Sequence, residues 1–339
     1  MLSAVNAVTA KAMIIATMQA GLVPFLMGSP GIGKSSIFHE IANMGQLEVI
    51  DLRLSQCDPT DINGFPDLKG AKATYVPLDT LPIVGDQLPA NKAGWMLLLD
   101  EFNSASPAVQ AASYKLVLDR MVGNHHLHPK VFICCAGNLE TDNAIVNPMS
   151  TALQSRLIHI QMEADVENWV TWAMENNIDY RITSYLQFSP KNFYSFIPDH
   201  TDNTYACPRT WHFASKLMQK VPLDSPIIRP LLNGCISNPV ASEFLAFCNI
   251  YKELPTIKEL EASPETVNMP SAPSTLFAIT GFIATHSTDK NLPQLAKYIS
   301  RMPMEFQIVC WREMQQRNPD TCKHPVYQQW AVKNIRELY

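Results

Sequence analysis

Residues 28–35 read Gly28-Ser29-Pro30-Gly31-Ile32-Gly33-Lys34-Ser35. The pattern is G-x-x-x-x-G-K-[ST], and it constrains the fold because its chemistry requires a strand before it and a helix after it. Both flanks are present. Val23-Pro24-Phe25-Leu26-Met27 is an apolar run that reads as a buried strand, and Ser36-Ile37-Phe38-His39-Glu40-Ile41-Ala42 reads as a helix. Glycines let such a loop curl so that successive N–H groups point inward around a phosphate, and the helix N-terminus adds partial positive charge. Gly28, Pro30, Gly31, Ile32, Gly33, Lys34, Ser35 and Ser36 are the residues expected to line it. Lys34 can reach the β- and γ-phosphates, and the Ser35 hydroxyl can ligate Mg²⁺.

The chain of 339 residues is long enough for two domains, and 47% hydrophobic residues can bury a substantial core. Charged residues make up 17%, with a net charge of −5. That balance argues against a broad basic surface for nucleic acid. Eight cysteines are scattered, and Cys134 and Cys135 are adjacent within an apolar run. Such thiols fit a reducing compartment better than a disulfide framework. Residues 4–22 run directly into the first strand and read as a helix rather than a signal peptide. No apolar run is long enough to span a bilayer. These features point to the cytoplasm, the host cytoplasm if the chain is viral.

Residues 1 to about 163 alternate strands with helices. The candidate strands are Val23–Met27, Leu47–Arg53, Trp95–Leu99, Val131–Ala136 and Leu157–Met162. Strands separated by helical patterns imply βαβ units and a parallel sheet covered on both faces. After about Asp165 the strand signal disappears. Residues 169–174, Arg209–Gln219, Pro239–Tyr251, Ser274–Thr285, Leu292–Ser300 and Met304–Gln316 read as helices. Two domains are expected, residues 1–163 and 164–339.

Trp95-Met96-Leu97-Leu98-Leu99-Asp100-Glu101 is an apolar run ending in two acids. A buried parallel strand delivers its C-terminal acids to the crevice where such sheets bind ligands. Asp100 is expected to hold Mg²⁺ and Glu101 to orient and deprotonate the attacking water. Taken alone, the pair also fits a solvated acidic turn; the upstream loop favours the functional reading. A third buried strand, Val131–Ala136, leads to Gly137 and Asn138. An asparagine there either caps a turn or sits between the acids and the γ-phosphate.

With these three elements in place the chain resembles AAA+ ATPases, Asn138 matching the position called sensor 1. It resembles the MoxR-like branch in three further stretches: Asp51–Pro66, which looks like the approach to the helix-2 insert; Ser150–Leu157; and Pro208-Arg209-Thr210-Trp211, which looks like sensor 2. The resemblance implies an α/β P-loop core with a parallel sheet flanked by helices, followed by an all-α lid. It implies ATP and Mg²⁺ as cofactors and a homo-oligomeric ring, a hexamer by family habit. It also implies a remodelled partner protein, often one bearing a von Willebrand factor A domain. Arg156 becomes an arginine finger for a neighbouring subunit, and Arg209 a contact to the same phosphates from the lid. On their own residues, Arg156 also reads as a helix C-terminal arginine meeting the dipole, and Arg209 as a helix-start arginine paired with a surface acid. The alternative function is an AAA+ nucleic-acid motor or loader, against which the acidic balance counts.

One departure concerns the β-hairpin that this branch carries before the sensor 1 strand. Here Arg120–Pro129 is brief, with a plausible turn at Gly123-Asn124. His125, His126 and His128 fit a solvated hairpin tip better than a metal site, because no cysteine partner lies nearby. Trp169 and Trp172 fit core packing. Phe65–Pro82 is expected to be an ordered excursion that serves recognition, with Tyr75 as its anchor. The competing expectation is that Tyr75 and Val76 form an edge strand on the core.

Overall fold

The computed structural model describes residues 3–70, 72–142, 146–199 and 202–334. Ala71, within the expected recognition segment, and residues 335–339, at the end of the expected second domain, lie outside the described residues. The chain divides into two compact units. One takes Met1–Asp165 with Ile197–His200, the other Val166–Phe196 with Thr201–Tyr339.

The first unit begins with α1 (Ala7–Gln19), started by Asn6, whose side chain accepts the Thr9 N–H. There follow β1 (Val23–Met27), α2 (Lys34–Met44), β2 (Leu47–Arg53), α3 (Pro59–Asn63), β3 (Phe65–Asp67), β4 (Thr74–Val76), β5 (Gly94–Asp100) and α4 (Pro107–Asp119). The unit continues with β6 (Met121–Val122), β7 (His125–His126), β8 (Val131–Gly137), α5 (Thr151–Gln154) and β9 (Leu157–Gln161). Five strands form one parallel sheet in the order β2-β5-β8-β1-β9. A parallel sheet is covered on both faces, so its strands must be apolar nearly throughout. β5 is accordingly buried from Gly94 to Leu99. All five expected strands are present. β5 gains one residue at each end, β8 gains Gly137, and β9 stops one residue early at Gln161.

Register decides which residues meet. Arg53 pairs with Asp100, Leu99 with Cys135, and Met27 with both Gly137 and Gln161. The C-terminal ends of β2, β5, β8 and β1 therefore line up along one edge of the sheet. At the opposite edge Val23 pairs with Leu157.

Two small antiparallel ribbons stand apart from the sheet, β3–β4 and β6–β7. The brief hairpin expected at Gly123-Asn124 is the second, with Val122 opposite His125. Gly123 has φ 55°, and a Cβ there would stand 2.6 Å from the Tyr75 Cβ and 2.7 Å from the Asn63 carbonyl oxygen. Glycine thus permits the two ribbons to touch, and the His125 Nε2 lies 3.0 Å from the Tyr75 carbonyl oxygen. Tyr75 is in a strand, but in a ribbon of its own, opposite Pro66, and not on the edge of the five-stranded sheet. Phe65, Leu68, Tyr75 and Val76 are all exposed. His128 packs its ring against Trp95, so the three histidines do not converge.

The second unit is helical among its described residues: α6 (Val166–Glu175), α7 (Tyr180–Phe188), α8 (Pro208–Met218), α9 (Ile228–Ile236), α10 (Asn238–Ile250), α11 (Ile257–Ala262), α12 (Pro273–His286), α13 (Leu292–Ile299), α14 (Met304–Arg317) and α15 (Pro325–Lys333). This is the α/β core followed by an all-α region that the AAA+ resemblance implied. Trp169 and Trp172 of α6 pack against Phe193 and His212 respectively. Inside the unit, Gly281 of α12 lies so close to α7 that a Cβ would meet the Ser184 Oγ. Nearby, Glu313 of α14 is 2% exposed. Its Oε1 accepts from Gln187 Nε2 at 2.9 Å, while its Oε2 has no partner among the described residues. Burial pushes this carboxyl up to about 7, against the pull of Arg317 and the Gln187 hydrogen bond. No helix among the described residues is long and apolar enough to cross a membrane.

Candidate active site

The loop after β1 closes over itself through its glycines. A Cβ on Gly28 would come within 2.7 Å of the Met162 carbonyl oxygen and 2.5 Å of the Ile32 side chain, so only glycine lets the loop leave the sheet here. Gly33 takes φ 99° and caps α2 without any side-chain hydrogen bond. At the start of α2 the N–H groups of Gly33, Ser35 and Ser36 have no intrahelical acceptor. Unpaired donors around a curled loop at a helix N-terminus form a cradle for an anion.

Lys34 is 9% exposed, and its Nζ sits at the mouth of this cradle. It donates to the carbonyl oxygens of Gly28 (2.6 Å) and Ser29 (3.0 Å) and to the Asn138 Oδ1 (3.0 Å). The Ser35 hydroxyl donates to the Asp100 Oδ2 at 2.7 Å. Hydroxyl and carboxylate oxygens together suit a hard divalent cation such as Mg²⁺. The donor set thus fits both a triphosphate and its metal.

Glu101 follows Asp100 in the left-handed region, φ 54° and ψ 35°. For a residue with a Cβ that conformation costs on the order of 1 kcal/mol. It is held by the Glu101 N–H donating to the Asp100 Oδ1 at 2.8 Å. The turn takes the chain out of the strand at the level of the phosphate loop. The Ser55 hydroxyl, in the short turn after β2, donates to the Glu101 Oε2. Neighbouring Asp51 has its carboxyl raised from the ordinary value, first by burial and then by the negative charge of Asp100.

The sheet brings Lys34, Ser35, Asp100, Glu101 and Asn138 to one edge. It does not bring Arg156 there. β9 runs parallel to β1, and Leu157 pairs with Val23, so Arg156 stands at the opposite edge, roughly 20 Å along the strands from Gly28. Its guanidinium donates to the Ala152 carbonyl at 2.5 Å and lies over the Tyr114 ring, while its Nε is buried without a partner among the described residues. This is the contact with helix C-terminal carbonyls that its own residues suggested. Arg209 belongs to the second unit, exposed in the first turn of α8.

Four polar residues that the sequence reading passed over complete the cluster: Ser55, Asn103, Asp142 and Asn147. Asp142 is buried and takes the Ser29 hydroxyl at 3.2 Å, tying the phosphate loop to the segment after β8. Asn103 brackets Asn138, and Asn147 brackets the turn that carries Asn103. A signal existed only for Asn103, a small amide two residues past the acids.

No protein-family model matches the sequence, and no curated protein matches it. Among solved structures the chain resembles NtrX from Brucella abortus at 12% identity, covering 98% of this chain and 69% of that one, with a TM-score of 0.40. It resembles a mutant of RuvB from Thermotoga maritima at 14% identity, 86% of each chain and a TM-score of 0.40. It also resembles a putative ATPase from Cytophaga hutchinsonii at 14% identity, 97% of this chain and 88% of that one, with a TM-score of 0.35. Likenesses this loose add nothing to the geometry of the site.

Proposed function

We propose that this chain is a Mg²⁺-dependent ATPase of AAA+ type, in its MoxR-like branch, working as a ring that remodels or activates a partner protein. The carrying observation is the convergence at one sheet edge of the glycine loop with the N-terminus of α2, Lys34, the Ser35–Asp100 pair, Glu101 and Asn138. The loop N–H groups and Lys34 bind the phosphates. Ser35 and Asp100 would hold Mg²⁺, which when bound would supply positive charge against the phosphates. Glu101 takes the proton of the attacking water, and Asn138 holds that water in line. Residues 1–163 form the nucleotide-binding core and 164–339 a helical lid, from which Arg209 contacts the phosphates. The displacement of Arg156 to the far edge supports its service to a neighbouring subunit, and hence an oligomer, a hexamer by family habit. A partner with a von Willebrand factor A domain follows from the resemblance alone. Buried free thiols at Cys134 and Cys135 accord with a reducing cytoplasm.

The test pairs calorimetry with phosphate release, with and without Mg²⁺. Lys34→Ala should abolish ATP binding, because it removes the cation from the phosphates. Glu101→Gln should keep ATP binding and lose hydrolysis, because shape is kept and the base is gone. Equal ATP affinity in Lys34→Ala and the unmodified chain would sink the assignment.

A further inference from the structure

We propose that Asn103 is a positioning residue for hydrolysis: its carboxamide clamps the backbone of Asn138 and so sets the Asn138 side chain against Lys34. The inference rests on the ATPase reading and adds to it a residue that does not itself touch nucleotide.

Asn103 is 4% exposed, in the turn Phe102–Ser104 that follows the two acids. Both ends of its amide are used on one residue. Its Oδ1 accepts the Asn138 N–H at 3.1 Å, and its Nδ2 donates to the Asn138 carbonyl at 2.8 Å. Such a two-bond exchange with one residue is otherwise made by the backbones of an antiparallel strand pair. Here a side chain makes it just beyond Leu99 and Cys135, the last paired residues of the parallel strands β5 and β8. An asparagine that merely made a turn would bond its own backbone two residues on. The donor–acceptor order also fixes which way the amide faces, since a flipped amide would lose both bonds.

The surroundings leave this side chain no freedom. A Cβ on Gly137 would stand 2.3 Å from the Asn103 Oδ1, so the residue before Asn138 must be glycine for the clamp to close. The Asn103 carbonyl accepts the Asn147 N–H at 2.7 Å, and the Asn147 side chain donates to the Ala105 carbonyl at 2.9 Å. The held Asn138 then presents its Oδ1 to Lys34 Nζ at 3.0 Å. Phosphate binding depends on the loop and Lys34, so loosening Asn138 acts on the chemical step. A displacement of about 1 Å at a reacting centre costs on the order of a hundredfold in rate.

The experiment is a double-mutant cycle on turnover, with ATP affinity and folding followed in parallel. Asn103→Ala should lower kcat about tenfold or more with ATP affinity within about threefold. It should cause no further loss in an Asn138→Ala background, because it acts through that residue. A kcat near that of the unmodified chain, or losses that multiply in the double variant, overturns the inference. Should Asn103→Ala not fold, the cycle is run with Asn103→Asp, which keeps the shape and the acceptor but loses the donor, and the same outcomes decide. If the unmodified chain neither binds nor hydrolyses ATP, the ATPase reading itself falls, and this inference with it.

Discussion

Glu313 offers a sharp physical prediction. Its carboxyl ordinarily ionises at 4.5 and here holds its proton to about 7, chiefly because it is buried. At about 1.4 kcal/mol per decade of proton activity, ionisation is disfavoured in the fold by about 3 kcal/mol. The unfolded chain loses its proton near 4.5 and the folded chain near 7, so between them the folded state binds more protons. Stability from this group is therefore full below 4.5, falls as pH rises to 7, and is flat beyond. Glu313→Gln keeps the acceptor for Gln187 and cannot ionise. Relative to the unmodified chain it should gain about 3 kcal/mol between about pH 4.5 and pH 8. Urea denaturation read by tryptophan fluorescence is the assay, since Trp169, Trp172, Trp211, Trp311 and Trp330 all lie in the helical unit and only Trp95 in the other. Parallel stability–pH curves for the two chains would refute the reasoning.

Three further outcomes are expected. Arg156→Ala should keep ATP binding and cut turnover by about 10²-fold or more; mixing it with Glu101→Gln should restore part of the activity, and no recovery at any ratio despite subunit exchange counts against a shared site. Gly28→Ala should destabilise the core by about 1–3 kcal/mol and weaken ATP binding, because its Cβ meets the Met162 carbonyl; unchanged melting and affinity would show that the loop yields there at no cost. Tyr75→Ala, at an exposed ribbon position, should leave melting temperature and basal ATPase near normal while weakening partner-dependent activity; a large fall in melting with the partner response intact would assign Tyr75 to structure.

The five sheet strands were legible because a doubly covered parallel sheet forces continuous apolar runs. The phosphate loop and the acids after β5 were legible because their spacing is set by the chemistry. Other elements left weaker traces. α7 is rich in aromatic and β-branched residues, and α9 contains Pro230 and Gly234, so local preference obscures helices that packing stabilises. β3 and β4 are three residues each, too short for a period to show. Ser55, Asp142 and Asn147 lie far from Glu101, Ser29 and Ala105 in sequence, and no local pattern announces a hydrogen bond across such a gap.

The pairing of Val23 with Leu157 has a consequence for counting. One copy carries a phosphate cradle at one end of its strands and Arg156 at the other, so on the proposed reading it holds two halves of different sites. An open row of such copies would always leave one cradle without its arginine and one arginine without a cradle. Closing the row into a ring removes both loose ends at once. Turnover per chain should therefore climb with concentration and level off when the last gap closes, and a copy defective in only one of its two halves would silence one junction while leaving the others able to turn over.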